Sequence, residues 1–106
     1  MDNLAPAIFY LGQNYPNPFK FKTTIKYCVA YKTKIRITIY NSCGKMINKL
    51  VDEVKEPGTY EIGFSISDFR KSRSPVSGIR NQVSGTYFYQ MKAGDYLSEK
   101  EMTLIW

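Results

Sequence analysis

The sequence contains no histidine. That absence excludes a Ser-His-Asp or Cys-His nucleophilic site, an imidazole-ligated zinc and a histidine pH switch. Cysteine is scarce as well. Cys28 and Cys43 are too few for a disulfide scaffold or a four-thiolate metal site. A single bridge is possible by count, but the alternation of Thr23–Val29 argues against it. It sets Ile25, Tyr27 and Val29 on one side and Cys28 with Thr24 and Lys26 on the other. Cys43 precedes Gly44 in a tight turn and is expected to plug the end of the fold. Two free thiols are therefore expected, packing as small hydrophobes, and they leave the compartment open. No stretch reaches the ~18 apolar residues of a spanning helix. Met1-Asp2-Asn3-Leu4-Ala5 has neither a basic start nor an apolar region, so no signal peptide is visible. The chain is expected to be either cytosolic or a piece of a longer secreted protein. No glycine-rich run precedes Gly44-Lys45, so there is no phosphate loop.

What is present is enough for one globular domain. The 106 residues are 43% hydrophobic, 23% charged and 15% aromatic, with nine tyrosines. The first 20 residues read as irregular, and Pro16 and Pro18 should hold their surroundings extended. Strand alternation then runs through Thr23–Val29, Lys34–Tyr40, Lys45–Val54, Tyr60–Phe64, Thr86–Lys92 and Tyr96–Ile105. Asn41-Ser42-Cys43-Gly44, Glu56-Pro57-Gly58 and Ala93-Gly94-Asp95 are turns, and the last should make a hairpin. No segment has a sustained helical period. The pattern predicts an all-β, antiparallel, immunoglobulin-like sandwich of about seven strands. Gly85-x-Tyr87-x-Tyr89 has the form of a tyrosine corner, with Tyr87, Tyr89 and Met91 facing inward. An ordinary aromatic strand explains the same residues.

The segment Arg70–Val83 interrupts this pattern and reads as a long inserted surface loop. It holds Arg70, Lys71, Arg73 and Arg80 and no acid, and these four are candidate anion contacts. Removing the segment lowers the formal net charge from +6 to +2. The basic balance therefore belongs mostly to the loop, and a solvated loop explains it better than a nucleic-acid site. Catalytic parts are lacking too. Asp52 and Glu53 are adjacent, but strand neighbours point to opposite faces and cannot act as a carboxylate pair. The cysteines lack a histidine partner. No enzyme activity, cofactor or metal is expected.

One set of motifs carries more information. Leu11-Gly12-Gln13-Asn14-Tyr15-Pro16-Asn17-Pro18-Phe19 resembles the opening signature of the C-terminal sorting domain (type A) of the type IX secretion system. Thr24-Ile25-Lys26-Tyr27 is similar to that family's first core strand. Ile35-x-Ile37-x-Ile39-Tyr40-Asn41-x-x-Gly44-Lys45, Pro57-Gly58-x-Tyr60 and Phe64 follow in the family's order. Ser84-Gly85-Thr86-Tyr87-Phe88-Tyr89 resembles its SGxYfY signature, and Met91–Asp95 with Lys100-x-Met102 resembles its closing hairpin. There are departures. Lys20-Phe21 replace a usual Asn-Pro, Lys100-Glu101 keeps one of two usual lysines, Trp106 ends the chain, and Arg70–Val83 is inserted.

The resemblance implies a noncatalytic secretion signal of two parts, a linker over 1–10 and a sorting domain over 11–106. The signal would direct an N-terminal cargo through an outer-membrane translocon, from the periplasm of a Gram-negative bacterium to the cell surface or beyond. A sortase-like protease would act on it transiently. Gln13, Asn14, Tyr15, Pro16, Asn17, Pro18, Phe19, Gly44, Gly58, Tyr60, Gly85 and Tyr87 would then be structural. Gly94, Asp95, Lys100 and Met102 are the recognition candidates. The last strand, if it lies at a sheet edge, offers backbone groups to a receptor strand. Two other functions are open: a structural immunoglobulin-like module of an adhesin or hook-capping scaffold, and a basic-loop module binding nucleic acid or another anion. Nucleic acid is not expected as a partner.

Overall fold

A computed structural model describes residues 7–65 and 85–105. The inserted basic loop with Arg70, Lys71, Arg73 and Arg80 lies outside the described residues. Among the described residues there are seven strands: β1 (Tyr10–Leu11), β2 (Lys22–Val29), β3 (Thr33–Asn41), β4 (Met46–Lys55), β5 (Gly58–Ser65), β6 (Gly85–Ala93) and β7 (Tyr96–Leu104). They form a three-stranded sheet, β1-β2-β5, and a four-stranded sheet, β4-β3-β6-β7, with every strand pair antiparallel. The expected all-β sandwich is the observed one. The predicted strand limits move by one or two residues. The exception is β1, which falls inside a region that reads as irregular.

Alternation explains the core. Ile35, Ile37 and Ile39 of β3 are fully buried, as are Ile25 and Val29 of β2, and Tyr89 and Met91 of β6. Tyr87 is buried beside them, so the inward set Tyr87, Tyr89 and Met91 stands as the sequence predicts. Two aromatic pairs fill the space between sheets and along β2. Phe19 meets Phe64 edge-on at 6.2 Å, and Tyr27 stacks on Tyr60 at 5.3 Å. The Tyr60 hydroxyl also donates to the Glu56 carbonyl at 2.7 Å, and Lys55 lies over its ring.

The turn after β3 corrects one expectation. Cys43 is exposed and plugs nothing. The carboxamide oxygen of Asn41 closes the turn instead, accepting from the N–H groups of Cys43 and Lys45 at 2.9 Å each. Gly44, at φ +86, takes the left-handed position such a turn requires. Cys28 stays on the outer face, its sulfur 3.6 Å from Thr59 Oγ1, and both thiols are free. Asp52 and Glu53 do face apart. Asp52 meets Lys34, Arg36 and Lys49, whereas Glu53 meets Lys55 at 2.8 Å.

The strand β4 is the edge opposite β7, and it is irregular. Its pairing with β3 skips Leu50 and then Ile47, two register shifts that bend the strand. Bulges of this kind spoil an edge as a template for further pairing. Position along β4 also decides cost. Ile37→Ala on the neighbouring β3 removes fully buried atoms and should cost about 2–5 kcal/mol. Val54→Ala on the exposed end of β4 should change stability by less than about 0.5 kcal/mol. Denaturant unfolding of both variants measures the contrast.

Candidate recognition site

The segment Leu11–Phe19 starts as β1 and ends on the opposite sheet. At its start the Gly12 N–H donates to the Lys26 carbonyl at 2.8 Å. A Cβ at Gly12 would stand 3.0 Å from that carbonyl and 3.2 Å from the Tyr10 ring, tighter than an ordinary contact, so a larger residue would have to push its neighbours back. The chain rejoins β2 at Tyr15, whose N–H and C=O both bond Thr24 at 2.9 Å. Between these points Gln13 and Asn14 turn away from β2.

Tyr89 holds that turn. It lies on β6, in the other sheet, with no exposed surface. Its hydroxyl donates to the Gly12 carbonyl at 2.6 Å and accepts from the Asn14 N–H at 2.7 Å. The buried Asn14 carboxamide donates to Thr23 Oγ1 at 3.0 Å and to the Pro16 carbonyl at 3.2 Å. Thr23 Oγ1 donates in turn to the same Pro16 carbonyl at 2.9 Å. Every buried polar side chain in this knot thus has a partner. Tyr89, two residues beyond the Tyr87 of the corner pattern, thus ties β6 to the Gly12–Asn14 backbone. Both prolines follow cis peptide bonds, Tyr15-Pro16 and Asn17-Pro18.

The remainder of the segment runs along the outer edge of β7. Gln13 Nε2 donates to the Glu101 carbonyl at 2.7 Å. Asn17 Oδ1 accepts from the Thr103 N–H at 2.9 Å. The Phe19 N–H donates to the Thr103 carbonyl at 3.0 Å, and the Phe19 carbonyl accepts from the Ile105 N–H at 2.9 Å. Phe19 itself is buried and bridges Leu104 in parallel register. The signature segment is thus a strap. It ties the edge of one sheet to the edge of the other, in a region where the sequence shows only proline and turn residues.

These contacts place each motif residue. Gln13, Asn14, Asn17 and Phe19 serve the strap by side chain or backbone. Tyr15 serves it by backbone alone, and its ring is 80% exposed. Tyr15 joins Tyr10, Gly12, Gln13, Thr24, Lys26 and Glu61 around a shallow groove on the outer face of the small sheet.

The recognition candidates do not gather at one point. Gly94 and Asp95 form the exposed two-residue turn between Ala93 and Tyr96, with Gly94 at φ +61. Met102 lies about 25 Å further along β7 by strand rise, and it is fully buried. Lys100 shares the inward face with Met102, as alternation predicts, and is half-buried. Among the described residues no group of three or more Cys, Asp or Glu is placed to hold a metal ion. No helix among them is long and apolar enough to cross a membrane.

Burial tunes the phenols. It pushes Tyr87 up to about 12. It does the same to Tyr89, reaching about 12 although the Asn14 N–H pulls the other way. Asp52, on the outer face of the large sheet, is pushed up by burial, but Lys49 and Lys34 outweigh this and hold it below its usual value.

Two outcomes follow from the knot. Tyr89→Phe leaves Gly12 O and Asn14 N–H without their partner and should cost about 1–3 kcal/mol in denaturant unfolding. In the alkaline limb, the unfolded chain releases phenol protons near pH 10 and the folded chain near 12. The stability of the neutral buried phenols is therefore complete below about pH 10 and falls as pH rises from there to about 12. Unfolding midpoints taken between pH 9 and 11, for the natural chain and for Tyr89→Phe, should show the shallower decline in the variant.

Comparison with known proteins agrees with this organisation. No curated protein matches the chain. Among solved structures it is similar to the dimeric latent PorU of Porphyromonas gingivalis, with a TM-score of 0.65 and 17% identity, over 99% of this chain and 10% of that one. A beta-glucosidase from Listeria innocua, solved with glucose, aligns at a TM-score of 0.48 and 10% identity, over 93% of this chain and 16% of that one. The chain spans a small fraction of either protein, and the first likeness supports the sandwich fold alone. The family model of the secretion system C-terminal sorting domain matches residues 13–104, from Gln13 in the strap to Leu104 at the end of β7. The chain belongs to that family, and it is a C-terminal sorting signal for type IX secretion.

Proposed function

We propose that the signal is the folded sandwich and not a linear tag. The observation that carries this is that the signature segment is bonded into the fold. Asn14 and Phe19 are all but inaccessible, and Gln13 and Asn17 spend side-chain groups on β7. A receptor therefore meets the exposed residues of the signature, Tyr15 among them, only in the arrangement that the fold imposes. In this reading residues 1–10 lead from the cargo into a sorting domain over 11–106. Phe9 already packs near Tyr31 and Tyr96, with ring centroids at 4.9 and 5.6 Å, which steadies the junction.

The proposed route takes an attached cargo from the periplasm of a Gram-negative cell through the outer-membrane translocon. A sortase-like protease meets the domain transiently, and the cargo ends at the surface or outside. Binding and recognition suffice for this role, with no cofactor. Gly94 and Asp95 are exposed at the hairpin turn and open to direct contact, whereas Lys100 is half-buried on the inward face. Met102 acts through the fold, since its side chain faces the core. The family match over 13–104 favours this reading over a scaffold module or a basic-loop binding module.

Deleting Glu99–Trp106 removes Met102 and Leu104 from the core together with the anchor of the strap. A reporter fused ahead of the truncated chain should stay in the periplasm, whereas the intact fusion reaches the surface. Fractionation of cells with a working type IX system measures this, and surface delivery of the truncated fusion would overturn the proposal.

A further inference from the structure

The strap hydrogen-bonds only half of the β7 edge, and β1 packs near β7 without bonding its backbone. Antiparallel pairing makes alternate residues of a strand turn their N–H and C=O groups to the neighbour, while the rest turn both outward. Thr103 bonds the strap with both groups, so the outward set of β7 includes 97, 99, 101 and 103. The Glu101 carbonyl and both Thr103 groups are taken by Gln13, Asn17 and Phe19. Among the described residues nothing bonds the outward N–H groups of Leu97, Glu99 and Glu101, or the outward carbonyls of Leu97 and Glu99.

This open half differs from the other edge of the same sheet. The strand β4 is bent by two register shifts, whereas β7 pairs with β6 in continuous register from Tyr96 to Leu104. A straight edge with free backbone groups is the form that accepts an added strand. The strap fixes where addition must stop.

The side chains of the open half set the chemistry. Leu97, Glu99 and Glu101 project on the outer face of the sheet, and Leu97 is 61% exposed. Neither glutamate is ion-paired among the described residues, and Glu99 only accepts a long 3.4 Å bond from Gln90. An incoming strand would place alternate side chains beside these. Lys or Arg opposite Glu99 and Glu101, and an apolar residue opposite Leu97, complement them.

We infer that Leu97–Glu101 is a β-addition site for an extended segment of the secretion machinery, about five residues long, that is basic on the face it turns outward. This rests on the sorting-signal reading above and names the partner's chemistry within it. The strap confines the added strand to the turn-proximal half of β7.

The test is Glu99→Pro in the full chain, fused behind a reporter. The Glu99 N–H points outward, so proline removes a donor for the incoming strand and no bond to β6. Glu99→Ala keeps that donor and loses the charge. The expected result is that Glu99→Pro melts near the natural chain yet leaves its cargo in the periplasm, with Glu99→Ala intermediate. Normal surface delivery of a folded Glu99→Pro fusion overturns the inference. If that variant melts more than about 10 °C low, the double variant Glu99→Lys/Glu101→Lys replaces it, because it leaves the backbone unaltered. Its normal delivery likewise overturns the inference, and its loss supports it. The unsubstituted fusion separates the two levels: its failure to reach the surface counts against the sorting reading itself, whereas its delivery beside an equally delivered variant counts only against the edge.

Discussion

The hydroxyl of Tyr89 is the interaction on which the arrangement of this domain depends. A buried phenol oxygen needs partners, because leaving it unbonded in an apolar core is costly. Here it takes both from upstream backbone, one acceptor at Gly12 and one donor at Asn14. That pair of bonds pulls the chain out of simple pairing with β2 and turns it across the sandwich. Gln13, Asn17 and Phe19 reach β7 only because the turn is made where Tyr89 holds it. A strand in the middle of one sheet thereby decides how the edges of both sheets are joined.

The domain also shows how a small sandwich manages its edges. An unpaired strand edge is a template for association, and closed barrels avoid it by having none. The sandwich cannot close, so it treats each edge of its large sheet differently. The strand β4 is made irregular by two bulges. The far half of β7 is bonded by the strap. The near half of β7 is left regular and acidic. For a protein whose task is to be recognised, one short open edge beside protected ones is a way to restrict where recognition occurs.

Much of this architecture is legible locally. Ile35, Ile37 and Ile39 declare β3 because a strand's side-chain period is two, and any half-buried strand must show it. Asn41 and Gly44 declare the following turn because their backbone needs are met within four residues. The strap is not legible in the same way. Gln13 and Glu101 are 88 positions apart, and nothing in the neighbourhood of either names the other. The two-residue β1 is too short to show a period. The exposure of Cys43 was hidden for a related reason: a small apolar-looking residue beside a turn packs inward only if the turn has not already closed on a side-chain amide. The hold of Tyr89 on Gly12 and Asn14 is hidden too, because that contact forms only across the sandwich.

By itself, the amino-acid order determined β2 to β7, their turns, the inward set Tyr87, Tyr89 and Met91, and the motif string that marks the family. It also located the basic excess in Arg70–Val83 rather than in the sandwich. The tertiary structure alone decided which strands are edges, how the signature segment ties them together, and which half of β7 stays open. The reason is the range of the forces. Alternation and turn chemistry act over a few residues and leave their pattern in the sequence. Edge pairing acts between segments brought together only when the two sheets close on their shared core.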